Sequence, residues 1–169
     1  MRYIIANIAG PPATLTRIAP AYGGRQFVGL SDDEIIQRVI NRNIEVGVIP
    51  NRDAHWVIDE TDLPGGAVSA ENDYFFRAWV CTDGVVSVDM SKARTIHLAE
   101  IRRVRDTELA KEDINLMIAN ESGTSSEQDA VKAKKQTLRD LRTTFDITTG
   151  VDTPEQLKAK WPTELPDRE

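Results

Sequence analysis

The fold is decided by residues 91–120, which read SKARTIHLAEIRRVRDTELAKEDINLMIAN. Apolar residues recur at three- and four-residue spacing along this stretch, so the pattern predicts one helix of about 45 Å at the standard rise per residue. The apolar side chains fall on two arcs, one with Leu98, Ile101, Leu109 and Leu116 and the other with Ile96, Val104, Ile114 and Ile118. Two apolar arcs indicate two packing partners for this helix.

A second helix is predicted directly after the first. Residues 121–126, ESGTSS, supply a turn and an N-cap, and a narrow, coiled-coil-like seam follows, made of Val131, Leu138, Leu141 and Phe145. Residues 91–145 are therefore expected to form an antiparallel helical hairpin, with the returning helix covering one arc. A partly buried pair between Asp113 and Arg139 is expected to fix its register. The other arc is left for the β region or for another subunit.

The C-terminal tail predicts one short docking helix. Residues 153–157, TPEQL, form a capped helix start with proline at the first helical position, and the helix is expected to end before Trp161. Trp161 either anchors this helix or serves as an exposed interaction hot spot.

Residues 31–63 predict one helix and two short strands. Ser31 is a natural N-cap and Glu34 completes a capping box, so a helix is expected from Ser31 to about Asn43. Short apolar runs then indicate strands at residues 46–49 and 56–59.

A β-hairpin is predicted immediately before the long helix. Residues 74–80 are rich in aromatic strand formers, and residues 85–88 are expected to form the second strand and pair with them. Asp83-Gly84 between the two strands tolerates the positive φ of a tight turn. Phe75 and Trp79 are expected in the core. Two strands alone are marginally stable, so the hairpin must pair with other strands or pack on a helix.

The first thirty residues differ from the rest of the chain. They contain no acidic residue, and Gly10-Pro11-Pro12 and Gly23-Gly24 interrupt them. Residues 3–8 favour one strand, but the remainder has no regular period. The segment is either loosely packed or an extended arm laid on a neighbouring subunit or larger partner, because its apolar side chains need a surface to cover them. Candidate contacts in such an arm are Tyr22, Phe27 and Val28.

Together these patterns predict an α+β protein with a small β region and hairpin, an antiparallel two-helix hairpin and a short C-terminal helix. The expected division is an extended N-terminal arm at residues 1–30, a small α/β region at residues 31–90, and the helical hairpin with its docking helix at residues 91–169. The candidate partner-binding residues in the last region are Ile96, Ile114 and Trp161.

Composition argues against several classes of partner. The 169 residues carry 21 basic and 27 acidic side chains, a net charge of −6, so no global attraction to nucleic acid or anionic membrane is expected. Prolines and charges break the apolar N-terminal stretch well short of a membrane span. The single cysteine, Cys81, fits a reducing compartment, and synthesis in the cytoplasm is expected.

No catalytic constellation is evident, so we expect no enzyme, no cofactor and no metal. The two histidines, His55 and His97, lie in unrelated contexts and cannot form a zinc site by themselves. The glycine pairs lack the lysine and the strand–glycine–helix order of a nucleotide-binding loop. The cluster Arg102, Arg103 and Arg105 is interleaved with carboxylates at helical distances, which favours a solvated, salt-bridged face.

Several segments share a resemblance to one group of proteins. They are DYFFRAW at residues 73–79, the turn at Asp83-Gly84, VDM at residues 88–90, and the pattern of residues 101–113 and 136–140. Together they resemble tail fibre assembly proteins and related tail accessory proteins of tailed bacteriophages. Residues 153–157 and Trp161-Pro162 also fit the C-terminal ends of such proteins. The resemblance covers roughly residues 55–162, and it departs at Leu141-Arg142, where those proteins commonly have a leucine followed by proline.

This resemblance implies a non-enzymatic structural or assembly protein that acts in the virion or in the host cytoplasm during assembly. Its partner would be a phage structural protein such as a tail fibre, and a second copy of the chain is a further candidate. It would act as a transient chaperone or as a minor virion subunit. The alternative class is a small regulatory module that grips a protein or nucleic acid through the helical hairpin.

Overall fold

The computed structural model describes residues 1–8, 14–66 and 72–168, and it confirms the α+β class. The chain divides into two compact units, Met1–Asp89 (unit 1) and Met90–Glu169 (unit 2). The predicted interruption at Gly10-Pro11-Pro12 lies outside the described residues. Of the helices in the described chain, none combines the length and the apolar character that crossing a membrane requires.

Unit 1 is built around its first strand. Strands β1 (Arg2–Ile8), β2 (Thr14–Ile18) and β3 (His55–Asp59) form an antiparallel sheet in the order β2-β1-β3. Ile4 pairs with Ile18 on one side and with Val57 on the other. The central strand is buried on both faces, because Ile4 and Ile5 point to opposite sides and neither is exposed to solvent.

A helix covers one face of this sheet and a β-hairpin covers the other. Helix α1 (Asp32–Glu45) packs on the face that carries Ile4, and the predicted capping box between Ser31 and Glu34 is confirmed. The hairpin of β4 (Trp79–Thr82) and β5 (Val85–Val88) contributes Trp79 and Val86 to the face that carries Ile5. The predicted turn is also confirmed, since Asp83 and Gly84 both have positive φ, at 51° and 81°.

Residues 1–8 and 14–30 do not form the extended arm that the sequence pattern predicts for residues 1–30. Their first strand is the centre of the sheet, and Tyr22 packs against the cluster that α1 makes with it. The strand predicted at residues 3–8 is confirmed, but its central position was missed. The physical reason is burial on both faces, because successive apolar residues do not show which elements cover them.

Two predicted strands are wrong. Residues 46–49 form a turn, because α1 continues to Glu45, Gly47 has φ +77°, and the N–H groups of Val48 and Ile49 donate to the Asn43 carbonyl at 2.9 and 3.0 Å. Asn72–Ala78 forms 3₁₀ turns that meet at Phe75, so the strand begins only at Trp79. Phe75 and Trp79 are nevertheless buried, as predicted.

Unit 2 is organised by one long helix. Helices α2 (Met90–Ser122) and α3 (Ser125–Thr144) form the predicted antiparallel hairpin, and Thr124 caps α3. A short helix, α4 (Pro154–Ala159), follows and contacts α2. The C-terminal segment takes over the packing where α3 ends, since Leu165 joins Ile101, Leu138 and Leu141 in one buried cluster.

The register of the hairpin differs from the predicted one. Asp113 forms an ion pair with Lys135, one turn before the predicted partner Arg139, and Asp113 remains mostly exposed. The buried carboxylate is its neighbour Glu112, which accepts a hydrogen bond from Lys134 at 2.6 Å. Val104, which was predicted on the second arc, instead packs against the buried cluster of Ile101 and Leu138.

Candidate functional site

Three of the predicted partner-binding residues lie in unit 1, and they differ in how far they are available. The Tyr22 hydroxyl donates to the Arg2 carbonyl at 3.0 Å, which ties this half-buried side chain to β1. Phe27 is half-buried in a 3₁₀ turn, whereas Val28 beside it is 83% exposed. Val28 is therefore the most accessible of the three.

The other three lie in unit 2. Ile96 is half-buried, and Ile114 is 59% exposed. The half-buried Trp161 donates its indole N–H to the Pro166 carbonyl at 2.9 Å and packs against the Leu138 cluster, which favours the anchor interpretation. The six residues are thus divided equally between the two units.

His97 occupies the interior of unit 2, which sequence reasoning missed. Its Nε2 lies 2.8 Å from the Lys160 carbonyl oxygen, and its ring meets Trp161 edge-on with centroids 5.8 Å apart. Burial lowers the pKa of His97 below the ordinary value of 6.5, and the charge of Arg168 acts in the same direction. This geometry holds a neutral imidazole and fastens the C-terminal segment to α2.

Arg17 forms the second cluster that sequence reasoning missed. Its guanidinium donates to both Asp73 carboxylate oxygens, at 2.6 and 2.5 Å, and lies 5.2–5.6 Å from the ring centroids of Tyr3, Phe76 and Trp79. The hydrogen bonds to Asp73 raise the pKa of Arg17. A two-point ion pair among aromatic rings joins β2 to the 3₁₀ turns, and its charge is already matched inside the unit.

Glu112 is the third polar group with an internal role. Hydrogen bonds from Lys134 and Asn115, at 2.6 and 3.1 Å, lower its pKa. The buried carboxylate therefore joins α2 to α3 as an anion, which fixes how the two helices align.

An open sheet edge is the first surface that remains for a partner. The backbone N–H of Asn7 donates to the Ala54 carbonyl, and that of Glu60 donates to the Met1 carbonyl. In an antiparallel pair only every second residue bonds to the neighbouring strand, so the N–H and C=O groups of His55, Val57 and Asp59 point away from β1. Among the described residues no strand pairs with that side of β3. Val57, in the middle of this edge, is 41% exposed.

A stripe on α2 is the second such surface. We call Ala110, Ile114, Met117 and Ile118 the outer stripe. Met117 and Ile118 are 64% and 56% exposed, and at helical spacing the four residues point away from buried Glu112 and Ala119, which face α3. Ile114 and Ile118 were predicted on one of the two apolar arcs, but Ala110 and Met117 were missed. The spacing 110, 114, 117 could have found them.

The described ranges contain no group of three or more His, Cys, Asp and Glu side chains able to hold a metal ion. Comparisons of the chain with models of known families, with curated proteins and with solved structures found no match.

Proposed function

We propose that the chain is a non-enzymatic protein that binds a structural protein of a tailed bacteriophage, such as a tail fibre, during tail or virion assembly. The observation that carries this proposal is the open edge of β3. A strand edge offers unpaired N–H and C=O groups to an extended segment of another protein, and each protein then covers the exposed edge of the other.

The resemblance to phage tail accessory proteins supports the identity of the partner. Its most distinctive residues, including Asp73, Phe75 and Trp79, lie within the folded interior of unit 1. They define a scaffold and do not themselves present a binding surface. The contact with the phage protein therefore has to come from exposed groups, and Val57 lies at the centre of such a surface.

Internal pairing of the polar groups supports a role without catalysis. Arg17, His97 and Glu112 each contact a partner in their own unit and fix a packing arrangement. Burial also raises the pKa of the Cys81 thiol, so the side chain stays protonated at neutral pH, and a protonated thiol is a weak nucleophile.

Pairing of the basic residues on α2 favours a protein partner over nucleic acid. Arg103 pairs with Glu100 at 2.7 Å, and Arg105 pairs with Asp106 at 2.8 Å. Binding a phosphate backbone would require these residues to exchange their carboxylate partners, which reduces the gain from counterion release. The regulatory alternative is therefore the weaker proposal for this helix.

Quantitative mass spectrometry of virions tests the proposed function. The sample is a purified tailed phage whose genome encodes the chain, together with the lysate in which it assembles. A fixed number of copies per virion identifies a minor virion subunit. Absence from virions, combined with defined complexes between the chain and a structural protein in the lysate, identifies a chaperone. Absence from both contradicts the proposal.

A further inference from the structure

We propose that the outer stripe of α2 is a self-association surface, on which α2 of a second copy packs antiparallel about a two-fold axis between Asn115 and Leu116. This inference goes beyond the proposed function, because it needs no phage protein. It commits to one occupant, a second copy of this chain, and the argument rests on spacing and on charge complementarity.

Spacing gives the stripe the character of a short coiled-coil seam. Ala110, Ile114, Met117 and Glu121 follow one another at intervals of four, three and four residues, and all four are exposed. With the axis between Asn115 and Leu116, Ile114 of one copy packs against Met117 of the other, and the same contact repeats across the axis. The small Ala110 then leaves room for Glu121 of the second copy.

Charge selects the antiparallel arrangement. The stripe is bordered by a cation, Lys111, near its N-terminal end and by an anion, Glu121, at its C-terminal end. An antiparallel pair places Lys111 of each copy beside Glu121 of the other, so two opposite-charge contacts border the apolar centre. A parallel pair in register would instead place the Glu121 carboxylates of the two copies side by side.

The neighbouring side chains agree with this arrangement. The alkyl stem of Lys111 can cover Ile118 of the second copy while its ammonium stays at the surface. Lys111 now pairs with Glu108 at 2.6 Å, an exposed i,i+3 contact that is weak enough to be shared. Asp113 pairs with Lys135 in its own chain and would meet only Asn120 across the axis, so no like charges meet there.

The size of the seam predicts a weak dimer. Residues 110–121 span about 17 Å of helix at the standard rise per residue, so the contact belongs to the small, weak class of interfaces that bury less than about 1,200 Å² in total. We expect dissociation in the micromolar range.

Sedimentation equilibrium of the purified full-length chain tests the proposal. The expected result is a reversible, concentration-dependent increase from the monomer mass of 18.9 kDa to twice that mass. The double substitution Ile114→Ser with Met117→Ser should weaken dimerisation at least about tenfold, because it removes the apolar centre of the interface. Val85→Ser, at another exposed apolar position, is the matched control and should leave dimerisation unchanged.

A charge-reversal cycle tests the antiparallel register. Lys111→Glu and Glu121→Lys should each weaken the dimer by about two- to tenfold, and the double variant should restore it. Lys132→Glu is the matched control, since Lys132 forms a similar exposed i,i+3 pair with Asp129 on α3. These positions are exposed, so circular dichroism should show an unchanged fold.

Three results would overturn the proposal: a monomer at all accessible concentrations, an association unaffected by the stripe variants, or a charge cycle without rescue. A chain that is monomeric alone but loses virion incorporation in the stripe variant would assign the stripe to a phage protein. Because the assay uses only the purified chain, its failure leaves the virion measurement unaffected.

Discussion

His97 Nε2 lies 2.8 Å from the backbone carbonyl oxygen of Lys160, inside a side-chain environment that excludes solvent from the imidazole. A carbonyl oxygen can only accept, so Nε2 carries the proton of the hydrogen bond. The residues that follow Lys160 include Trp161, whose ring packs against the same imidazole. One buried histidine therefore couples the C-terminal segment of unit 2 to α2.

Unit 2 should lose stability as the pH falls below about 6.5. The folded state holds His97 neutral with a lowered pKa, whereas the unfolded chain binds a proton near the ordinary value of 6.5. Stability from this group is complete above pH 6.5 and decreases at lower pH, by at most about 1.4 kcal/mol per pH unit. Hydrogen exchange of amides in residues 90–168, measured between pH 7 and 5.5 and corrected for intrinsic rates, reports it.

Two histidine variants separate this effect from general acid sensitivity. His97→Gln should lower the stability of unit 2 at pH 7 and remove most of its pH dependence in this range. His55→Gln, in unit 1, should leave the pH profile of unit 2 as it is. A profile that keeps its slope in His97→Gln would refute the assignment.

Leu138 and Ile114 should respond very differently to truncation. Leu138 is almost fully buried in the helical cluster, so Leu138→Ala should lower the free energy of unfolding by about 2–4 kcal/mol. Ile114 is exposed on the outer stripe, so Ile114→Ala should change the stability of the monomer by less than about 0.5 kcal/mol. Denaturant unfolding at low protein concentration measures both, and equal effects would mean that the two faces of α2 are misassigned.

The ion pair between Arg17 and Asp73 should stabilise unit 1. Asp73→Asn leaves a guanidinium among three aromatic rings without its carboxylate, at a cost of about 1–3 kcal/mol. Glu45→Gln, which breaks an exposed pair with Arg42 at the end of α1, is the matched control and should leave the midpoint of unfolding nearly unchanged. The loss of dispersed amide signals from unit 1 with increasing denaturant reports the transition.

Deleting residues 1–28 should prevent unit 1 from folding. The deletion removes both β1 and β2, and with β1 it removes Ile4 and Ile5 from the two faces of the sheet. Without the central strand, β3 has no partner among the described strands. Amide spectra of the truncated chain should show unfolded signals for residues 29–89. A folded, dispersed spectrum for that region would mean that the N-terminal segment is dispensable.

The chain should bind DNA no better than a neutral control protein at near-physiological salt. Its net charge is −6, and Arg103 and Arg105 are paired with carboxylates. Fluorescence anisotropy with a labelled duplex measures this. A salt-sensitive micromolar complex would favour the regulatory alternative.

Local signals account for the parts of the fold that could be predicted. Ser31, Thr124 and the proline at residue 154 mark helix starts through chemistry confined to one turn, and Asp83-Gly84 does the same for the hairpin. These signals need no knowledge of the rest of the chain.

The missed features depend on pairs distant in sequence. Ile5 pairs with Trp56 across the sheet, and Arg17 binds Asp73, which is 56 residues away in sequence. Asp73 lies in the 3₁₀ turns of residues 72–78, where the aromatic residues had favoured a strand. His97 is buried because the C-terminal segment returns to it, and nothing around it in the sequence shows this. The open edge at Val57 could not be predicted for the same reason, because the strand order of the sheet decides which strand lies at an edge.

The most direct test of the proposed function is the affinity of the chain for the phage tail fibre protein when the β3 edge is blocked. Val57→Pro removes an outward-facing N–H, and proline is tolerated at an edge strand, whereas Val57→Thr keeps that N–H. Calorimetric titration should show binding weakened by at least about tenfold in Val57→Pro and nearly unchanged in Val57→Thr. Equal affinity of both variants and the parent chain would contradict strand addition at β3.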